Sequence, residues 1–151
     1  MDISGKRTFI TVMNAILWCV ITVCGWYGQW FVGLILGVIL MMSHMMLGAA
    51  QNGKLSMKLL VYPLGTWFVL WAGGFFIAKY YSELFLNKAP DFTILGFHPS
   101  FAMIILAYWI GGVLTLTLGL IKYADQWLSD ESWDAFLAKM KQLNGEEVKN
   151  G

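Results

Sequence analysis

The sequence predicts an all-α integral membrane protein: a four-helix bundle with both termini in the cytoplasm and a short C-terminal amphipathic helix. The main observation is that no charged residue occurs between Thr8 and Gly53, a stretch too long for one membrane span and about right for two. Two more uncharged stretches follow, from Leu59 to Ala78 and from Phe92 to Ile121. Because a spanning helix needs roughly 20 mostly apolar residues, the three stretches predict four spans.

The composition supports this fold class and narrows the remaining possibilities. Of 151 residues, 58% are hydrophobic and 13% are charged, whereas soluble domains carry about 25% charged residues. The spans leave no room for a separate soluble domain. We therefore expect residues 1–128 to form one transmembrane domain and residues 129–151 to form a cytoplasmic amphipathic helix and a disordered tail. A net charge of +1 without a Lys/Arg-rich stripe argues against a nucleic acid partner.

The residues that flank each apolar stretch place the four spans. Trp26, Tyr27 and Trp30 cluster around the glycines after the first span, which predicts a short turn at one membrane face. Pro63 falls in the first turn or so of the third span, where its missing N–H costs least, and Pro99 falls near the first position of the fourth. The predicted spans are residues 8–25, 30–50, 59–78 and 100–121.

Two segments outside the spans carry apolar side chains. The long loop from Ser82 to Pro99 interleaves charged and apolar residues, and we expect it to lie in the headgroup layer or against a partner. Beyond the fourth span, Ser129 is the predicted N-cap of the C-terminal helix and Asn144-Gly145 its stop, with a disordered tail from Glu146. Apolar residues repeat at helical spacing between these points: Trp133, Phe136, Leu137, Met140 and Leu143.

The basic residues near the span ends predict the orientation. Only Lys79 and Lys88 lie at one membrane face. The other face carries Lys6, Arg7, Lys54, Lys58, Lys122, Lys139 and Lys141. Because cytoplasmic loops are enriched in Lys and Arg, this asymmetry predicts a multi-pass protein of the cell (inner) membrane with both termini cytoplasmic.

His44 is the sharpest candidate for a functional side chain, because it lies in the second span, away from bulk water. At 100° per residue, Gly33, Gly37, His44 and Gly48 fall within about 60° of one another. Gly33 and Gly37 form a GxxxG pair, which lets a second helix approach closely, so we expect His44 to point at a packed protein interface rather than at lipid. Two interpretations stay open: an ionisable functional group, and a neutral imidazole hydrogen-bonded across helices. The second is favoured, because no Asp, Glu, Lys or Arg lies within any predicted span.

Metal and haem binding centred on His44 are weaker alternatives. Four methionines flank it in the sequence: Met41, Met42, Met45 and Met46. Thioethers with an imidazole suit copper(I), but four adjacent methionines point in several directions on a helix. Haem needs axial ligands at matched depth, and His98, the only other histidine, lies at the opposite mouth of the bundle. We therefore expect no cofactor and assign no metal ligand or catalytic residue; the sequence has no Walker loop, GxSxG, HExxH or paired carboxylates.

The fourth span carries a ridge of small residues, Ala107, Gly111, Thr115 and Gly119, each four positions apart. Such a ridge allows close contact between helix backbones, either within the bundle or with another membrane protein, and contact within the bundle is favoured. Asn14, in the first span, is expected to hydrogen-bond across the bundle. The residues assigned to helix packing or partner contact are therefore Asn14, Gly33, Gly37, His44, Gly48, Gly111, Thr115 and Gly119.

Two short motifs flank the last span. Gly96-Phe97-His98-Pro99-Ser100-Phe101 precedes it, and Lys122-Tyr123-Ala124-Asp125-Gln126-Trp127-Leu128 follows it. With these motifs, the segment from Lys58 to Leu128 resembles the small accessory subunits encoded beside sodium:solute symporters, which have two spans, a Gly-aromatic-Pro turn before the second, and an aromatic, Asp-Leu-like exit. The first hairpin, Thr8 to Ala50, has no counterpart in that family, and His98 departs from its turn. The resemblance implies a non-catalytic partner of a larger transporter and supplies no catalytic residues.

Three functions remain open from the sequence. The first is a non-catalytic membrane subunit that supports a larger membrane transporter and contacts it through the Ser82–Pro99 loop and the C-terminal helix. The second is a self-sufficient small channel or carrier that works as a homo-oligomer, with the ridge of the fourth span between subunits. The third is a metal- or haem-binding membrane protein centred on His44. The first is favoured, because four short-looped spans without charges form a poor ion pathway alone.

Overall fold

A computed structural model describes residues 2–51 and 53–149, which are helical over most of their length and form no strand. Four of the helices are long and apolar enough to cross a membrane, so the predictions of an all-helical fold and of a multi-pass membrane protein are confirmed. The fifth follows the last span. The helices are α1 (Arg7–Trp26), α2 (Trp30–Ala49), α3 (Met57–Leu84), α4 (Pro99–Lys122) and α5 (Asp130–Lys149).

Consecutive spans pack against one another, α1 against α2, α2 against α3, and α3 against α4. Gly28 makes the tight turn between α1 and α2 at φ +70°, a left-handed conformation that favours glycine. We name the two ends of the bundle after their loops. The Gly28 end holds this turn and the α3–α4 loop, and the Gly53 end holds the α2–α3 loop, the N-terminal segment and the exit of α4. Of the spans, α3 is the most buried and α1 the least.

The Gly53 end is closed by a small apolar core. Ile3, Leu55 and Leu59 are each at most 1% exposed and pack together. The backbone N–H of Ile3 donates to the carbonyl of Gly53 over 2.7 Å, which ties the N-terminal segment to the α2–α3 loop. Trp127 packs against the same core from the other end of the chain. The N-terminal segment, the α2–α3 loop and the α4 exit therefore form one packed unit.

Helix α3 is longer and less regular than the predicted span of residues 59–78. It continues to Leu84, because Lys79 pairs with Glu83 one turn later and its ammonium lies 5.4 Å from the centroid of the Phe31 ring. A charge at this position is accommodated by a helix-surface ion pair and an aromatic face. Near its other end α3 is interrupted at Tyr62, whose backbone is extended (φ −133°, ψ 117°) just before Pro63.

The loop between α3 and α4 folds onto itself instead of leaving the bundle. Phe85 is 6% exposed and contacts the rings of Tyr81, Phe92 and His98. The side chain of Leu95, in contrast, is exposed, and its φ of +54° places it in the left-handed region that few non-glycine residues adopt. The loop is thus an anchored aromatic cluster with an apolar tip.

Helix α5 begins where the sequence predicts and ends later. The backbone N–H of Ser132 donates to Ser129 Oγ over 3.3 Å, which is the predicted N-terminal cap. The helix passes through the predicted stop at Asn144-Gly145 and reaches Lys149. One glycine inside a helix costs only about 1 kcal/mol, which the helix-forming residues after it offset. Residues 150–151 lie outside the described part of the chain.

Candidate functional site

A polar contact joins α1 to α2 within the apolar bundle. Asn14 on α1 is 4% exposed, and its Oδ1 accepts a hydrogen bond of 2.5 Å from the hydroxyl of Ser43 on α2. The hydrogen bond across helices that the sequence predicts for Asn14 is therefore present. Its partner, Ser43, is a residue that the sequence analysis missed. The sequence signal for Ser43 was its hydroxyl, which directly precedes His44 in an otherwise apolar span.

His44 lies next to this contact, and its hydrogen bonds define its tautomer. Its Nδ1 is 2.9 Å from the carbonyl oxygen of Leu40 and 3.4 Å from Nδ2 of Asn14. A carbonyl oxygen can only accept, so the shorter contact requires a proton on Nδ1. The Asn14 amide nitrogen is also a donor, so the 3.4 Å approach is not a second hydrogen bond. In the neutral imidazole this corresponds to the Nδ1–H tautomer, whose lone pair is on Nε2.

The His44 side chain is exposed, and it lies on a face of α2 that the rest of the chain leaves open. A Cβ added at Gly37 or Gly48 would meet no atom of the described chain within 4 Å. Gly33 is different, because a Cβ there would lie 3.7 Å from Cβ of Cys24 on α1. We call Gly37, His44 and Gly48 the open α2 face. His44 lies at the edge of the α1–α2 contact, with Nδ1 toward Asn14, while its residue as a whole is exposed. That this face of α2 meets a protein interface stays a prediction.

A wide apolar cleft of about 560 Å³ lies along the open α2 face toward the Gly28 end. Gly33, Gly37 and Met41 line it from α2, and Trp71 and Phe75 line it from α3. A volume of this order is typical of sites that bury a small ligand or the side chains of a neighbouring helix. The first hairpin and the second are therefore not closed against each other on this side.

Trp71, which lines this cleft, packs against a second tryptophan one helical turn earlier on α3. Trp67 is fully buried and Trp71 is 8% exposed, and their ring centroids are 4.6 Å apart. Neither indole N–H has a hydrogen-bond partner within the part of the chain that the structure describes. A buried donor without a partner costs about 1–3 kcal/mol. The sequence analysis missed these residues, although a Trp-x-x-x-Trp spacing inside an uncharged span was a readable signal.

The small-residue ridge of α4 is in contact with α3. Gly111, Thr115 and Gly119 are all buried, and the Thr115 hydroxyl donates to the carbonyl of Gly111 over 2.7 Å. A Cβ at Gly119 would lie 2.4 Å from Cβ of Pro63, closer than side chains can approach. In the structure this ridge packs against α3 within the bundle. It is not a free surface for another subunit.

The second histidine has a structural contact at the Gly28 end. The Nδ1 of His98 accepts from the backbone N–H of Ser100 over 3.2 Å, as the N-cap of α4. Among the side chains that the structure describes, no group of three or more His, Cys, Asp or Glu is placed to hold a metal ion. His44 and His98 therefore lie in separate environments, one on the open α2 face and one at a helix cap.

No family model, curated protein or solved structure matches this chain. The resemblance to accessory subunits of sodium:solute symporters therefore stays a prediction. Its two motifs occupy structured positions: Gly96, with φ +79°, turns the chain before α4, and Trp127 after α4 donates its indole N–H to the carbonyl of Leu120 over 3.0 Å. Both motifs fix how α4 enters and leaves the bundle.

Proposed function

We propose that this protein is a non-catalytic integral membrane subunit that supports a larger membrane transporter. In this proposal it resides in the cell (inner) membrane with both termini in the cytoplasm. The orientation rests on the basic residues, because the Gly28 end carries only Lys79 and Lys88. The Gly53 end carries Lys6, Arg7, Lys54, Lys58, Lys122, Lys139 and Lys141.

The open α2 face is the observation that carries the proposal. Transmembrane helices associate through small residues that let backbones approach, and through hydrogen bonds between polar side chains. Gly37 and Gly48 supply the first feature, since a Cβ at either position would meet no atom of the described chain within 4 Å. His44 supplies the second, because its Nε2 presents an acceptor to the outside of the bundle. Ionisable groups within the membrane rarely face lipid alone, which favours a partner helix with a hydrogen-bond donor at this level.

The alternatives have less structural support. The homo-oligomeric channel or carrier would need the α4 ridge as the contact between its subunits. In the structure α3 covers that ridge through Pro63 and Gly74. A metal or haem site centred on His44 requires further ligands close to its ring. The contacts of that ring in the described chain are the Leu40 carbonyl and the Asn14 amide, and neither makes it a metal centre.

A co-purification experiment with matched variants tests the proposal. The tagged protein is extracted from its native membrane in a mild detergent, as wild type, Gly37→Leu and Gly112→Leu. Both substitutions add the same volume at positions where a Cβ meets nothing within 4 Å of the described chain. Each also opens onto an apolar cleft, so the two variants are matched in their surroundings. We expect the wild type and Gly112→Leu to retain a larger multi-span protein in fixed stoichiometry. Gly37→Leu should lose it and keep the elution volume of a folded protein.

Two outcomes would contradict the proposal. One is a wild-type protein that leaves the native membrane as a stable, pure monomer. The other is equal retention of the larger protein by Gly37→Leu and Gly112→Leu, which would place the contact elsewhere than the open α2 face.

A further inference from the structure

Helix α5 has a strongly two-sided surface that no other part of the bundle covers. Every residue from Asp130 to Leu143 is exposed. At 100° per residue, the five bulky apolar side chains fall within an arc of about 120°. These residues are Trp133, Phe136, Leu137, Met140 and Leu143, and their exposed fractions run from 39% to 50%. A face of five large apolar side chains is more than scattered surface hydrophobicity, and it requires a covering environment.

Two lysines border this apolar arc. On the same helical projection, Lys139 lies about 40° beyond one edge of the arc and Lys141 about 40° beyond the other. Long basic side chains at such borders extend their apolar stems along the hydrocarbon and keep the ammonium group in water, which is the arrangement of helices that lie flat on a bilayer. Residues 130–143 contain three acidic and two basic side chains, a net charge of −1. Contact with a membrane therefore depends on the apolar face, and a need for anionic lipid is not expected.

The connection from α4 keeps α5 near the membrane. Trp127 is anchored to the last turns of α4 by its 3.0 Å hydrogen bond to the carbonyl of Leu120. Only Leu128 and Ser129 separate it from the first residue of α5. An extended chain advances at most about 3.3–3.6 Å per residue, so the three steps limit the reach to roughly 11 Å. The headgroup layer occupies roughly 5–7 Å on each side of the hydrocarbon. The start of α5 is thus held within or next to that layer.

We propose that α5 lies in the headgroup layer of the membrane that α4 crosses, with its apolar arc toward the acyl chains. The surface it fits is a lipid bilayer and not a groove on a partner protein, because the tether already brings the helix to the bilayer. Glu131, Ala138 and Gln142 lie on the opposite side of the helix and face water.

Site-directed spin labelling of the full chain tests this inference without any partner. Cys19 and Cys24 are replaced by alanine, and single cysteines carry a nitroxide at successive positions of α5. The purified protein is placed in nanodiscs of phosphatidylcholine, and each label is probed by oxygen, which enters lipid, and by a nickel chelate, which stays in water. We expect labels at Leu137 and Met140 to lose contact with nickel and gain contact with oxygen. Labels at Ala138 and Gln142 should show the reverse.

A second pair of variants controls for the possibility that a labelled protein is misfolded. With the label at Met140, Leu137→Glu should restore contact with nickel, because it puts a charge in the apolar arc, and Ala138→Glu should leave the label protected. Equal nickel access on both faces in nanodiscs would overturn the proposal. So would protection of the apolar arc in native membranes together with exposure in nanodiscs, which would assign the face to a protein. The nanodisc contains only this chain and lipid, so the result is independent of the proposed larger subunit.

Discussion

The contact between α3 and α4 at Gly74 gives the sharpest stability prediction. An alanine there would place its Cβ 2.4 Å from Cβ of Ala107. Carbon atoms prefer separations of about 3.5–4.0 Å, so α3 and α4 must move apart locally by about 1.1–1.6 Å. Overpacking of this kind costs about 1–3 kcal/mol. The neighbouring Gly73 is the matched control, since a Cβ there meets no atom of the described chain within 4 Å.

The assay is reversible unfolding of the purified protein in mixed detergent micelles as the fraction of dodecyl sulfate increases, followed by far-ultraviolet circular dichroism. Both Gly73→Ala and Gly74→Ala gain the same helix propensity, so the difference between them isolates the clash with α4. We expect Gly74→Ala to unfold earlier, with a difference of about 1–3 kcal/mol in the free energy of unfolding. Identical unfolding curves for the two variants would show that α3 and α4 do not meet at Gly74, and would refute this packing.

Three further changes probe separate parts of the fold. Asn14→Ala and Ser43→Ala should each destabilise the protein. A double-mutant cycle in the same unfolding assay should give a coupling free energy of about 0.6–1.7 kcal/mol between the two residues. Additive effects of the two substitutions would rule out their hydrogen bond. Leu95→Gly should raise the midpoint of thermal unfolding, because it relieves about 1 kcal/mol of backbone strain in the left-handed conformation. Gly96→Ala should lower that midpoint, because Gly96 also has a positive φ. Shifts of the same sign would contradict the turn geometry. Trp127→Phe removes the hydrogen bond to the Leu120 carbonyl, so it should lower the free energy of unfolding in dodecyl sulfate by about 0.5–1.5 kcal/mol. An unchanged unfolding curve would argue against that bond.

The positions of the spans were largely predictable from the sequence, because lipid excludes charge and every span had to be an uncharged apolar helix. The helix that contains the third span continues past the predicted span end at Ala78 to Leu84. Taken alone, the charge of Lys79 predicts the end of the apolar helix. In the structure it pairs with Glu83 and lies over Phe31, so the helix continues. A contact between helices decided this boundary, and such contacts do not show in hydropathy.

The packing faces were only partly predictable. Helical periodicity correctly grouped Gly111, Thr115 and Gly119, and the buried ridge meets α3. The same periodicity grouped Gly37 and His44 on one face of α2, but it could not show whether that face met another helix of this chain. Small residues indicate that a close approach is possible, while the identity of the approaching helix depends on the arrangement of the whole bundle.

The central claim is that the open α2 face receives a helix of a larger protein. Its most direct test is photo-crosslinking in native membranes from benzoylphenylalanine placed at Met41, an exposed residue that lines the cleft beside Gly37 and already carries a large side chain. Ile110, a similarly exposed residue of α4, is the control position. We expect an adduct at Met41 that mass spectrometry identifies as a larger multi-span membrane protein, and none at Ile110. Failure of Met41 to form an adduct, or an adduct made only with a second copy of this chain, would contradict the claim.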